Sequence, residues 1–451
     1  MTRRRALLLF IILLAFGLRL WRLPQTPPGL WYDEAYYSMD AAWLLDGGPW
    51  QLFFAGNNGR EPIFIYLQTV FIWLLGAAPL TSRLPAPLIG TLTVPAVYAL
   101  GRRLGRDAGW SVWLPYIAAA GLATSFWHVG LSRGGYRGIL MPLAAALVFY
   151  TFWRGWRGRS LKFMLLAGLA LGLSQYTYLA ARVFPLALGL YGLLWTGLNW
   201  RDRPRRNALW LTLLVMAGVS ALVFAPLGRI FYQNPALFSA RTGDVLFTPN
   251  TPAELLTHLS QAVRLFIDGG DPNWRHHLPG RPMLGWLGWL GFWPGLAICL
   301  RRLRGPAYLL LALAWLTLYL PALLSTPPVH ALRLADLLPV YYLIFALGLF
   351  KLVHFLLAAL RPGSRLIPRA VFPALTIVAV LLLETGLTGF DYFGRWANAE
   401  ETYVEYNGPL VDFVKAVIDR TASAPVVIPF HLYVHPTTRY QLHDHFVEQP
   451  A

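Results

Sequence analysis

The stretch "GLWYDEAYYSMDAAWLLDGG" (29–48) sets two carboxylates, Asp33 and Glu34, side by side among Trp31, Tyr32, Tyr36 and Tyr37. A carboxylate in so apolar a setting can take the proton of a sugar or protein hydroxyl, or hold a divalent cation. The same pair also suits a plainer task, with Asp33 capping a short helix over "EAYYSMDAAWLL" and Glu34 favouring its positive end. The two readings are compatible, and Asp33 and Glu34 stand as the candidate catalytic residues.

Other patches offer charge of both signs. Glu61 precedes Pro62 in "GNNGREPIFIYLQ" (56–68), where the proline suits the first turn of a helix. Arg83 lies in "TSRLPAP", and "HVGLSRGGYRGIL" (128–140) brings Arg133 and Arg137. A guanidinium grips phosphate oxygens two at a time, so these three arginines near an acidic pair describe a phosphate site; a lone Arg at a membrane face would instead snorkel to headgroups.

A long loop opens with an amphipathic helix, "TPAELLTHLSQAVRLFIDGG" (251–270), carrying a Thr251–Glu254 capping box. It continues as "GDPNWRHHLPGRPML" (270–284), with Asp271, Asn273, Arg275, His276 and His277 between turn residues; long loops of this kind are often functional. "STPPVHALRLADLLP" (325–339) adds His330, Arg333 and Asp336, while "QYTYLAAR" (175–182) reads mostly as interfacial aromatic belt. The substrate- and phosphate-binding candidates are therefore Arg83, Arg133, Arg137, Glu61, Tyr37, Asp271, Arg275, His277 and Arg333. No metal ligand set is assigned, although a divalent cation beside the carboxylates is chemically possible. His431, His435, His443 and His445 of "PFHLYVHPTTRYQLHDH" (429–445) read as an exposed strand and turn in preference to a metal site.

These residues need a scaffold, and the composition says which kind. Hydrophobic residues make up 56% of the chain and charged ones 13%, far from the balance of a soluble domain. An all-α polytopic membrane protein follows. Eleven segments have the roughly 20 apolar residues that a span needs: 6–23, 83–101, 108–127, 135–153, 161–179, 182–198, 207–226, 283–300, 306–325, 334–357 and 369–389. The basic, apolar start reads as an uncleaved anchor, since no small-residue cleavage site follows it before Pro24.

The run 62–76 is short and begins at Pro62. If it lies along the surface, the basic clusters at 101–106, 154–159, 201–206, 301–304 and 361–369 all face the cytoplasm, as positive-inside statistics require. An interfacial helix is therefore expected there. The N-terminus is then inside a plasma or inner membrane, and segments 24–82, 128–137, 227–282 and 326–334 lie outside. The expected division is a transmembrane unit over 1–390 and a short extracytoplasmic tail over 391–451.

The formal charge of +17 would suggest nucleic acid in a soluble chain, but the basic residues fall in short inter-span clusters, so no nucleic-acid partner is expected. The single Cys299 excludes a disulfide or a cysteine metal site. Ionisable residues are nearly absent at mid-span, which weighs against the alternative of a flippase or transporter of lipid-linked sugars.

An acidic pair after the first span, an E-P helix start at Glu61–Pro62, Arg83 opening the second span and the Ser-Arg patch "SRGGYR" together resemble the membrane-embedded GT-C glycosyltransferases. The nearest branch is glycosyltransferase family 39, which includes protein O-mannosyltransferases and aminoarabinose transferases. The resemblance runs to about residue 390 and implies transfer of a sugar from a polyprenyl-phosphate donor to a protein, lipid or glycan acceptor at the outer face, usually with inversion. It makes Asp33 the base toward the acceptor hydroxyl, Glu34 its support, and Arg83 a donor-phosphate ligand, a role extended to Arg133 and Arg137. The chain departs from the family in reading E-P-I where E-P-P or H-P-P is usual, in lacking an acidic residue in "SRGGYRGIL", and in having no large carbohydrate-binding tail. A metal requirement and an acceptor are therefore not carried over.

Overall fold

A computed structural model describes residues 3–442 apart from 266, 329, 361–370 and 422. The basic cluster at 361–369, the start of the span expected from 369, and His443 and His445 fall outside the described residues.

The described residues are helical, with no strand and only isolated bridges such as Phe54–Arg60 and Leu246–Ser325. In chain order the helices that matter below are α1 (Arg3–Leu20), α2 (Tyr32–Leu45), α3 (Ile63–Leu75), α4 (Pro85–Ala108), α5 (Leu140–Gly158), α6 (Pro235–Val245), α7 (Gly285–Arg301), α8 (Leu338–Leu360) and α9 (Pro436–Gln441).

Among the described residues, seven helical stretches are long and apolar enough to cross a membrane: Pro79–Ala108, Arg137–Gly158, Leu179–Leu198, Arg203–Gln233, Pro306–Leu323, Ala335–Leu356 and Pro373–Asn398. Each falls on one of the eleven expected segments. The other four overlap α1, α7 and the shorter helices Leu114–Thr124 and Leu161–Ser174. Helix α3, with 13 residues, reaches only about 20 Å at 1.5 Å per residue, short of a hydrocarbon core about 30 Å thick.

Burial orders the bundle. Arg137–Gly158 and Ala335–Leu356 have 72% of their apolar window buried against 17% for Arg203–Gln233, so the first two are central and the third is peripheral. Helices α7 and α8 approach so closely that a Cβ on Gly295 would collide with the Ile344 carbonyl, and one on Gly348 with that of Gly291. Small residues four apart permit such contact where no hydrophobic effect drives helices together.

The two ends of the bundle differ in chemistry. At one end Arg103 and Arg157, from two of the basic clusters, each lie 3.8 Å from Asp107, and Trp156 Nε1 donates to the Arg205 carbonyl of a third. At the other end the segments expected outside converge. Trp127 Nε1 donates to Ala331 O at 3.2 Å, Arg133 to Leu18 O and Thr26 O at 2.9 Å each, and the Ala331 amide to Asp271 at 2.8 Å.

The tail forms helices over Phe430–Tyr433 and α9, not the strand and turn expected for 429–445. His435 Nδ1 accepts the Thr437 amide at 3.3 Å, and a cap with proline behind it starts a helix. Nor does the tail hang free. Thr437 Oγ1 and Asn407 Nδ2 both donate to Leu30 O, at 2.9 and 3.1 Å, and Ser82 Oγ donates to Tyr440 Oη at 2.9 Å.

Candidate active site

Helix α2 begins one residue before the acidic pair, and Trp31 is its N-cap. Asp33 therefore does not cap it, as one reading of the sequence had it. Glu34 does this work instead, its Oε2 accepting the Trp31 amide at 3.0 Å. Helical geometry then sends the two carboxylates in different directions.

Glu34 is wholly buried. Its oxygens accept from Arg83 Nη2 at 2.9 Å, from Arg83 Nε at 3.3 Å and from the Gly135 amide. Arg83 spends its remaining donors on Pro27 O at 2.9 Å and on Gly29 O. This cluster ties three chain segments together, 27–34, Arg83 and Gly135, and leaves neither partner facing open space. In this structure Glu34 and Arg83 bond to each other and to backbone groups, so a direct catalytic part for Glu34 or a donor-phosphate part for Arg83 requires some of these bonds to open.

Arg133 and Arg137 are likewise buried. Arg133 donates to the Leu18, Arg19 and Thr26 carbonyls within 3.0 Å and lies over the Phe393 ring at 4.8 Å. Arg137 pairs with Glu61 at 2.6 Å and donates to Gly59 O. Their terminal nitrogens are engaged in these bonds, while the Nε of each is buried without a hydrogen-bond partner. What the sequence marks as a phosphate site is, in this structure, a set of buried struts.

Asp33 stands apart from them. It is only half-buried, accepts from Asn57 Nδ2 at 2.8 Å and has Tyr37 Oη at 3.4 Å. Asn57, Asn58 and Gly59 adopt left-handed φ values of 46°, 59° and 77°, a conformation that Asn and Gly tolerate best, and this turn aims Asn57 at Asp33. Tyr37 is buried, which pushes its phenol up from its ordinary pKa, as does the Asp33 charge, so it donates and does not ionise.

The free side of Asp33 opens on a cavity of about 330 Å3. Its polar lining includes Arg182, Arg275, His276, His330 and Arg333, with Tyr136 and Tyr178 beside Asp33. Its apolar wall comes from Leu179, Val183 and Leu186 on one side and from Val245, Leu246, Leu320 and Leu324 on the other. Carboxylate, guanidinium and hydrocarbon thus share one chamber, the combination a lipid-borne anionic group would need.

Of the expected binding residues, Arg275 and Arg333 line this cavity. Arg275 Nε lies 3.3 Å from Glu405 and its guanidinium sits 4.0 Å above the Trp31 ring, while Arg333 Nη1 donates to Ser325 Oγ at 2.7 Å. Asp271 and His277 are buried in the loop beside it. Burial alone would raise the Asp271 pKa, but the His276 hydrogen bond and charge, the His330 charge and the Ala331 amide hold it below the ordinary range. Burial and Arg281 push His277 down to about 3, so it is neutral, packed 4.9 Å from the Phe126 ring.

Several cavity residues carried little weight in the sequence. Tyr178 is buried and sits 5.4 Å under the Arg137 guanidinium, so it belongs to the site and not to an aromatic belt. Tyr136 donates to Tyr406 Oη at 3.0 Å, and Tyr406 donates to Arg275 O at 2.9 Å, a chain through which the tail braces the cavity floor. No spacing rule links Tyr136 to Tyr406 across 270 residues. Helix α6, which contributes Thr242 and Val245, shows no sequence mark of a role either.

No family profile and no curated protein matches the sequence. Solved structures do. ArnT from Cupriavidus metallidurans bound to undecaprenyl phosphate superposes with a TM-score of 0.63 at 15% identity, over 97% of this chain and 83% of that one. The archaeal oligosaccharyltransferase AglB from Archaeoglobus fulgidus, in complex with an inhibitory peptide and a dolichol-phosphate, gives 0.59 at 15% identity, over 97% of this chain and 63% of that one. The chain thus spans less than two thirds of the archaeal enzyme. It has the GT-C membrane fold.

Proposed function

We propose that this protein is a glycosyltransferase that moves a sugar from a polyprenyl-phosphate donor to an acceptor hydroxyl at the outer membrane face. The observation that carries the reading is the single open carboxylate, Asp33, facing a cavity that also presents Arg182, Arg275 and Arg333 and an aliphatic wall. Asp33 takes the acceptor proton as the acceptor oxygen bonds to the anomeric carbon. The bond from that carbon to the phosphate oxygen breaks, and the lipid phosphate leaves with the electron pair, inverting the centre. Charge grows on the leaving oxygen, where preorganised guanidiniums in a water-poor chamber act most strongly. The two solved structures described above hold undecaprenyl phosphate and dolichol-phosphate, which supports a donor of that class.

Glu34, Arg83, Arg133, Arg137 and Glu61 act in this proposal as positioning residues that hold the chamber's shape. By the positive-inside rule, the three basic clusters gathered at the opposite end support a cavity on the outer side.

The test uses membranes from cells carrying the wild-type gene, a deletion, or the Asp33→Asn allele. Polyprenyl-phosphate sugars are added, and lipid phosphate release and sugar additions are followed by mass spectrometry. Transfer that requires Asp33 supports the proposal. Unchanged transfer in Asp33→Asn removes the base, and identical glycosylation in wild type and deletion removes the function.

A further inference from the structure

We infer that Asp271, His276 and His330 form a binding site for a divalent transition metal, Zn2+ being the ion that suits it best, at the edge of the Asp33 cavity. One donor atom from each of the three lies within 4.8 Å of the others. Two ligands of one zinc can be no more than about 4.2 Å apart, given bonds of about 2.1 Å, so small side-chain rotations close the set.

A hydrogen-bonded Asp–His pair would explain two of the three residues. His276 Nδ1 sits 3.1 Å from Asp271 Oδ2, and Asp271 is fixed by the Asn273 amide at 2.9 Å and the Ala331 amide at 2.8 Å. It leaves His330 unexplained. The His330 ring lies 4.6 Å from that of His276, and its Nδ1 is buried with no hydrogen-bond partner. Buried imidazole nitrogens rarely go unpaired, and a second imidazole brought against an Asp–His pair with an orphaned lone pair is what a metal would satisfy. Backbone donors to the carboxylate supply the fixed geometry that supports a ligand set from outside.

The donor chemistry selects the ion. Two imidazoles and one carboxylate favour Zn2+ over the oxygen-seeking Mg2+ and Ca2+. Three protein ligands leave a zinc one open position. His276 and His330 both line the cavity that Asp33 lines, so an oxygen ligand from water or an anion bound there can complete the set. Arg275 does not oppose the cation alone, since Glu405 lies 3.3 Å from it. These ligands are separate from the Asp33–Glu34 pair, and the inference does not depend on the transferase reading.

The test is metal binding by the untagged full chain in detergent. The protein is stripped with chelator, given Zn2+ or Co2+, and read by elemental analysis and by the visible absorption of Co2+. The expected result is roughly one equivalent of metal with an intense low-coordination cobalt spectrum, weakened at least about tenfold by His330→Ala and by His276→Gln. His435→Ala, in the tail, should change nothing. Size-exclusion behaviour and helicity identify folded variants, and His330→Asn replaces His330→Ala if the latter fails to fold. Well under one equivalent in folded wild type, or undiminished binding in the folded His330 variant, overturns the inference.

Discussion

Glu34 and Asp33 are neighbours in sequence with opposite expected phenotypes. Glu34→Gln keeps one acceptor oxygen and turns the other into an NH2 group that faces the donors of Arg83, Trp31 and Gly135. It also leaves the Arg83 guanidinium buried without a counter-charge. Removing one partner of a buried pair costs about 3–5 kcal/mol. At roughly 2 °C per kcal/mol for a large protein, the melting midpoint should fall by roughly 6–10 °C. Asp33→Asn loses a charge-assisted bond from Asn57 on a half-open residue, which amounts to about 1 kcal/mol, and it should melt within roughly 2 °C of wild type while losing transfer. Thermal unfolding in detergent and the membrane transfer assay, run on both variants, separate the two roles. An equally large destabilisation by Asp33→Asn, or a Glu34→Gln protein of wild-type stability that is nonetheless inactive, would refute the division of labour.

The Arg137–Glu61 pair, at 2.6 Å and nearly solvent-free, should behave as a coupled unit: Arg137→Met and Glu61→Leu each destabilise by about 3 kcal/mol, and the double variant recovers much of the loss, as read by thermal unfolding. Arg182 lines the cavity, donates to the exposed Phe238 carbonyl and lies 4.0 Å over the Phe238 ring, so Arg182→Gln should cost no more than about 1 kcal/mol of stability while weakening undecaprenyl phosphate binding about tenfold, the effect of roughly 1.4 kcal/mol of lost charge-assisted contact; titration of the lipid into detergent-solubilised protein checks it. Tyr406→Phe removes the hydroxyl between Tyr136 and Arg275 and should cost about 1 kcal/mol while speeding proteolytic cleavage near residue 407; an unchanged digestion pattern would show that the tail does not brace the cavity.

The sequence discloses some of this and hides the rest for identifiable physical reasons. Hydropathy and charge locate spans well because the bilayer imposes length and polarity on each segment independently of its neighbours. The acidic pair, Glu61, Arg83, Arg133 and Arg137 all stand out because charge beside hydrocarbon is costly and needs a reason. What one-dimensional reading cannot assign is which reason applies. A guanidinium that binds a ligand and one that welds α2 to the start of the Pro79–Ala108 helix have the same composition signal, and they differ only in whether the partner is Glu34 or empty space. What separates them is access to the cavity. Arg83, Arg133 and Arg137 are buried among the helices, whereas the polar groups that line the cavity come from loops at 275–276 and 330–333 and from Arg182, which hydropathy treats as connectors or belt. The same logic accounts for the tail. Tyr406 and Tyr440 look like ordinary aromatics in a polar segment, and only the partners that three-dimensional folding supplies, Arg275 O and Ser82 Oγ, make them part of the site's frame. In the proposed mechanism reactive capacity thus resides in the charges that line the cavity, and Asp33, held by Asn57 and Tyr37 but open on its other side, is the carboxylate among them.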